Sequence, residues 1–305
     1  MPANSCARSR VGAFSYSRAA LAGAAILFCC ANAHPARAQD SAFGEIETKY
    51  IFGFTEGSGI GLEGEKEVSI ETIGRFGKRD GKYSATERKL EFEHTPTQFI
   101  QLEFGALVAT HNIQNVTDLD DRKQAAFGGM FGEFRYLLLD RGPSSPVGIT
   151  LSVEPVWRRI DETSGARVTN YEFETKLAFD TALIENRLFL AVNLLYEPET
   201  TRADGVWTNE STFGGSTALA YRVVPTVTVG AELWYLRHYD SIGPNNYTGD
   251  AVFIGPTLHV QLTRKAFMTA AWNAQIAGTE IGGASPLNLA EFSRHRAKLK
   301  VAVEF

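Results

Sequence analysis

The chain has 305 residues with 35 acidic and 30 basic side chains, a net charge of −5, and 44% hydrophobic residues. An acidic balance speaks against nucleic acid as a partner, because such binders carry a basic footprint. All three cysteines, Cys6, Cys29 and Cys30, stand near the start of the chain, so the remainder must be stabilised without disulfides.

Residues 1–38 read as a secretory signal peptide. Arg8, Arg10 and Arg18 precede an apolar run from Ala19 to Ala31, and Ala36-Arg37-Ala38 supplies a small-residue cleavage site. The run is shorter than the roughly 20 residues that a transmembrane helix needs, and nothing later is long and apolar enough to make one. Phe28 and Cys29 stand where a lipidation site wants small residues before Cys30, which argues against a lipoprotein. Cleavage after Ala38 removes Arg8, Arg10, Arg18 and Arg37, leaving 26 basic residues against 35 acidic ones. With no linker or composition shift beyond that point, a single domain is expected.

Residues 39–65 are the least regular part, expected as a periplasmic or luminal segment. Ile46 to Phe54 can be a strand, whereas Glu56-Gly57-Ser58-Gly59-Ile60-Gly61 and Gly64 are loop chemistry. No Lys-Ser/Thr closes this glycine-rich stretch and no helical pattern follows, so a phosphate loop is excluded.

From Lys66 the chain falls into alternating segments of roughly ten residues, the cumulative pattern of a transmembrane barrel. They are Lys66 to Lys78, Tyr83 to His94, Phe99 to His111, Ala125 to Leu139, Val147 to Ile160, Val168 to Asp180, Arg187 to Glu197, Glu210 to Arg222, Thr226 to His238, Asp250 to Thr263, Ala266 to Ala277 and Leu289 to Phe305. The expected fold is all-β, an antiparallel up-and-down transmembrane barrel of about twelve strands. An even count requires that Ile46 to Phe54 stay out of the wall, and a count of fourteen would need a strand within Thr55 to Glu65, which is too rich in glycine. Connections alternate between short turns, such as Thr95 to Gln98, Val223 to Pro225 and Arg264-Lys265, and longer polar loops. The longer set is Asn112 to Gln124, Asp161 to Arg167, Pro198 to Asn209, Tyr239 to Gly249 and Gly278 to Asn288, with the tight Asp80-Gly81 turn as the exception.

Alternation also separates two faces. Val147, Ile149, Leu151 and Val153, or Leu188, Leu190, Val192 and Leu194, make apolar stripes suited to lipid. The opposite positions carry Glu91, Glu93, Glu103, Glu133, Arg135, Glu154, Arg158, Glu172, Glu174, Lys176, Arg222 and His259. In the first wall segment Glu67 and Glu71 share that face; in the last, Arg294, Arg296, Lys298 and Lys300 do. The first and last strands meet when a barrel closes, so Glu67 and Glu71 are expected to face these bases across the seam. The lumen lining is accordingly expected to comprise Glu67, Glu71, Glu91, Glu93, Glu154, Arg158, Glu172, Glu174, Lys176, Arg222, His259, Arg296, Lys298 and Lys300.

The final stretch, SRHRAKLKVAVEF, alternates Ala297, Leu299, Val301, Val303 and Phe305 against Lys298, Lys300, Ala302 and Glu304. Here the chain resembles a Gram-negative outer-membrane β-barrel protein, in which a terminal Phe preceded by apolar alternate residues is read by the assembly machinery. The resemblance implies an outer-membrane location, contact with lipid and lipopolysaccharide, and long loops facing outward from the cell. It further implies a porin-like channel for small polar solutes, with a non-conducting structural or adhesive barrel as the alternative. Barrel lipid hydrolases place His and Ser two residues apart on one strand; Ser293 and His295 have that spacing in reversed order without an evident third group, so no enzyme is expected. No cofactor or metal is expected either. Asp118-Leu119-Asp120-Asp121 reads as a solvated loop, although carboxylates there could hold Ca²⁺ or bridge lipopolysaccharide.

Overall fold

A computed structural model describes residues 47–142 and 145–305. The leader expected over residues 1–38, its cleavage site and residues 39–46 lie outside the described residues. Twelve strands run in sequence order: β1 (Lys66–Phe76), β2 (Lys82–Thr97), β3 (Ile100–Gln114), β4 (Arg122–Leu139), β5 (Val147–Ile160), β6 (Arg167–Ile184), β7 (Leu188–Ala203), β8 (Val206–Val224), β9 (Val227–Tyr239), β10 (Tyr247–Thr263), β11 (Ala266–Glu280) and β12 (His295–Glu304). Each pairs antiparallel with its sequence neighbours, and β1 pairs with β12, closing an up-and-down barrel. No edge strand is left, as a sheet in hydrocarbon requires.

Period-two alternation sorts the residues as the sequence suggests. Ile70, Phe104, Met130, Tyr171, Phe173 and Leu194 are exposed on the outside, while Glu67, Ser69 and Glu71 on β1 are buried inside. An outer surface so apolar is a liability in water and a match to lipid.

Three sequence expectations change. Of the strand expected over Ile46 to Phe54, the described part, residues 47–54, is not a strand: residues 49–54 run in successive turns inside the barrel, Gly53 sits at φ +97°, and no wall strand pairs with them. Pro198 to Asn209 is not a loop, because β7 and β8 continue to a two-residue turn at Asp204 and Gly205, both at positive φ. Such an Asp-Gly turn matches strand twist and extends a hairpin without a loop. Finally, β12 begins at His295 and not at Leu289. Residues 288–293 instead fold inward: Asn288, Leu289 and Ser293 are buried and Phe292 packs against Phe253 with ring centroids 6.2 Å apart. The Asn288 carbonyl accepts from Gln275 Nε2 at 2.9 Å, and Lys78 Nζ donates to the Ala290 and Glu291 carbonyls at 2.7 and 3.2 Å. Burial there pushes the Lys78 ammonium down to about 8.

The seam carries charge pairs, though not with every partner expected. Lys298 Nζ lies 2.8 Å from Glu71 Oε2, and Lys300 Nζ lies 2.7 Å from Glu91 and 3.7 Å from Glu67. In backbone register, however, Glu67 stands opposite Glu304, another acid. Breaking a buried ion pair by removing one partner costs about 3 to 5 kcal/mol. Lys298→Glu or Glu71→Lys alone should therefore sharply lower refolding yield, scored by heat-modifiable gel migration, and the double swap should recover most of it. A double variant that refolds no better than the singles would remove the pair from any role in closure.

Candidate functional site

The interior is organised by one consequence of register. Glu304 on β12 pairs with Glu67 on β1, Glu67 with Glu93 on β2, Glu93 with Glu103 on β3, and Glu103 with Glu133 on β4. On the next pair of strands, Phe134 opposite Val153 and Phe131 opposite Val156 bring Glu154 alongside Glu133, and Glu154 pairs with Glu174 on β6. A second, shorter row runs through Glu172, Glu199 and Glu210 on β6, β7 and β8. Like charges directly opposite on a sheet repel. The rows persist because cations are threaded between them.

Some of those cations come from the wall. Lys89 reaches Glu154 at 2.7 Å, Arg158 pairs with Glu172 and lies 3.2 Å from Glu87, and Lys176 lies 2.8 Å from Glu174. The pairs from β2 to β5 cross the lumen over the two intervening strands. Lys49 comes from elsewhere, the segment 47–65. Its Nζ donates to Glu93 Oε2 at 2.7 Å and Gln101 Oε1 at 2.8 Å, with Glu103 and Glu133 carboxylates at 3.5 and 3.9 Å. Lys49 is 1% exposed. Glu56 of the same segment accepts from Lys176 at 3.0 Å and from Arg135.

The segment enters and leaves by the short-turn end and reverses near Phe54. Between Phe54 and Ser58 it has no ladder partner, and all its backbone N–H groups there except that of Gly57, which donates to the Lys49 carbonyl, are taken by wall side chains, as buried donors require. Phe54 N and Thr55 N donate to the two oxygens of Glu232 at 3.2 and 2.7 Å, Glu56 N to Asn193 Oδ1 at 2.8 Å, and Ser58 N to Asp180 Oδ2 at 2.6 Å. Its apolar side chains lie against the opposite arc of wall. Ile51 and Phe52 pack on Phe189, Ala191, Ala218 and Ala220, while Phe54 packs among Leu195, Trp234, Leu236, Ala251, Phe253 and Ala271. At Gly53 an added Cβ would come within 2.7 Å of Thr257 and 2.9 Å of Ala271, so the reversal needs glycine for both space and φ.

Of the residues expected to line a lumen, Glu67, Glu71, Glu91, Glu93, Arg158, Lys176, His259, Lys298 and Lys300 are buried in this interior. Glu154, Glu172 and Glu174 join them through the ion pairs above. Arg296 faces inward, its guanidinium 4.6 Å over the Phe54 ring, and His259 Nδ1 lies 2.9 Å from Thr269 Oγ1. Arg222 sits at the short-turn rim: its guanidinium donates to the Pro225 carbonyl at 2.8 Å, and it lines a cavity of about 700 Å³ there together with Thr228 and His259. That mouth also brings carboxylate oxygens of Glu47, Glu65 and Glu304 within 4.8 Å of one another, a set of hard donors suited to a divalent cation. Sequence reasoning missed Lys49, Glu56, Gln101 and Glu232, whose roles exist only once the segment is inside.

The Ser293 hydroxyl donates to the His295 carbonyl at 3.0 Å, and the His295 ring lies against Trp272, so the two side chains are not arranged as nucleophile and base. In the Asp118 to Asp121 loop, Asp121 accepts from Asn115 N at 2.6 Å, and the exposed Asp120 lies 3.6 Å from Arg122.

Residues 45–305 match the family described as "Family of unknown function (DUF6662)". No curated protein sequence matches the chain significantly. Among solved structures, the COG4313 outer membrane channel from Pseudomonas putida F1 aligns with a TM-score of 0.54 and 12% identity, covering 86% of this chain and 100% of that one. The NanC porin aligns at 0.44 and 12%, covering 78% and 98%, and the KdgM porin, solved with disordered oligogalacturonate, at 0.44 and 13%, covering 79% and 99%. The fold is that of an outer-membrane barrel.

Glu232 holds four donors, the two segment N–H groups together with Trp234 Nε1 at 3.2 Å and Asn273 Nδ2 at 2.8 Å. Each buried donor orphaned by Glu232→Ala costs about 1 to 3 kcal/mol. The expected outcome is a barrel that still shows heat-modifiable migration but whose Lys49 becomes a trypsin site. Unchanged protection of Lys49 would show that Glu232 does not hold the segment.

Proposed function

The chain belongs to the family described as "Family of unknown function (DUF6662)", and we propose that it is an outer-membrane channel for small polar solutes, closed by its own segment 47–65. The observation that carries this reading is the way the interior is filled. The wall is a complete barrel without the segment, since every backbone ladder runs between wall strands. Apart from backbone bonds at its exit, where Gly64 N donates to the Thr95 carbonyl at 2.7 Å and Thr95 N to the Glu65 carbonyl at 3.1 Å, the segment is held through wall side chains, at Glu93, Gln101, Asp180, Asn193 and Glu232. Its departure would leave a charged, water-compatible bore. Rows of glutamate along one arc of such a bore favour cations over anions, because selectivity in a pore follows the sign of the charge that lines it.

The cross-lumen pairs Lys89 to Glu154 and Arg158 to Glu87 favour a second reading, a barrel that stays shut. Single-channel recording in planar bilayers separates the two. The full protein is expected to show small or rare openings, and a variant lacking residues 47–58 several-fold larger, steady and cation-preferring current. Silence from both, in protein shown to have inserted, would sink the channel and leave the ion-paired structural barrel.

A further inference from the structure

The acceptors around the Lys49 ammonium come from the wall, while the segment adds Tyr50, whose hydroxyl donates to Glu93 Oε2 at 2.7 Å and whose ring centroid lies 4.6 Å from Nζ. The ammonium's two hydrogen-bond acceptors at 2.7 and 2.8 Å, Glu93 and Gln101, stand on β2 and β3, and the Glu103 carboxylate at 3.5 Å stands beside them on β3. Gln101 Nε2 donates back to Glu93 Oε1, which fixes the amide with its oxygen toward the ammonium. Among the described residues, no cation other than Lys49 forms an ion pair with Glu93 or Glu103. Without Lys49 the cradle therefore keeps two acidic side chains and an oriented amide oxygen, with the Tyr50 hydroxyl as a neutral donor to Glu93 and, among the described residues, no cation in ion-pair contact.

We infer that the cradle of Glu93, Gln101 and Glu103 is a binding site for the primary ammonium group of a solute, with Lys49 as its tethered competitor. The inference rests on the channel reading and supplies its substrate class, small amines. The chemistry selects among cations. An ammonium has three N–H donors for acceptors that diverge around one point. A guanidinium would need a planar, forked partner. A calcium ion would need oxygen ligands at about 2.3 to 2.6 Å on several sides. A solute that takes the cradle displaces Lys49, and because it binds only the state with Lys49 withdrawn, it shifts the segment outward. The permeating amine would then open its own path.

Lys49→Ala removes the competitor and keeps the wall, and ethylammonium and tetramethylammonium chloride serve as probes of equal charge, only the first carrying N–H donors. Ethylammonium is expected to restore the thermal stability that Lys49→Ala loses, whereas tetramethylammonium is not. Ethylammonium is also expected to inhibit potassium current through Lys49→Ala at a concentration at least tenfold lower than tetramethylammonium, a difference that an added Glu103→Gln substitution should abolish. Should Lys49→Ala refold poorly, refolding yield in the presence of each cation gives the same comparison. No restoration, or equal effects of the two cations, overturns the ammonium site even where the variant conducts. Absence of current from Lys49→Ala and from the variant lacking residues 47–58 alike overturns the channel reading instead.

Discussion

Hydrocarbon offers no partner to a backbone N–H or C=O, and from that constraint most of this architecture follows. The sheet must close on itself, and closure joins β1 to β12. Once closed, strict alternation leaves each side chain one of two destinations, lipid or lumen. A sequence with 21% charged residues must then gather most of its wall charges in a space one barrel wide. The inside of the barrel thus becomes an electrostatic problem that the wall strands, taken one at a time, do not present.

The rows of glutamate state that problem most sharply. Glu304, Glu67, Glu93, Glu103 and Glu133 occupy successive strands at one level. The wall neutralises the flanks of the row, through Lys300 at Glu67 and Arg135 at Glu133, the latter 3.4 Å apart. It leaves the centre to Lys49. Burying a cation among carboxylates is favourable only when its own hydrogen bonds are met, and here Gln101 supplies the neutral acceptor that completes the set. The segment is consequently not a passive filler: it holds the charge that the middle of the wall lacks.

The fold was legible because its signals are local and repeated. Alternation over short stretches and the spacing of turn residues set twelve strands and their faces, and opposite charges at the two ends of the wall pointed to the seam at Glu71 and Lys298. Reading failed where a local signal had two meanings. Pro198 to Asn209 looks like a polar loop, yet Asp204-Gly205 is also a hairpin turn, and the strands run on to meet it. Leu289 to Ser293 looks like the start of a strand, yet Asn288 ties it inward through Gln275 and Thr279. The role of the segment was hidden for a different reason, since its partners lie far away in sequence; Thr55 and Glu232 are 177 residues apart. One signal was available. Ala191, Ala218, Ala220, Ala251 and Ala271 fall on inward positions, where an open aqueous bore has no use for small apolar side chains and a packed object does.

Those alanines also explain how the segment can be both well fitted and separable. On one arc, aromatic and aliphatic side chains of the segment fill the space above small wall residues; on the other, Lys49 and Glu56 meet the charged rows. Neither arc contributes a backbone ladder. Net hydrogen-bond contributions are of order 1 kcal/mol each, because water replaces the partners that are lost, so releasing such a segment costs far less than opening a closed sheet. The same charges that would make a bare lumen conduct are the ones that hold its occupant. If the barrel is the channel we propose, a cation entering from solution would compete for the very groups that keep the path shut, and closure and selectivity would be two readings of one row of carboxylates.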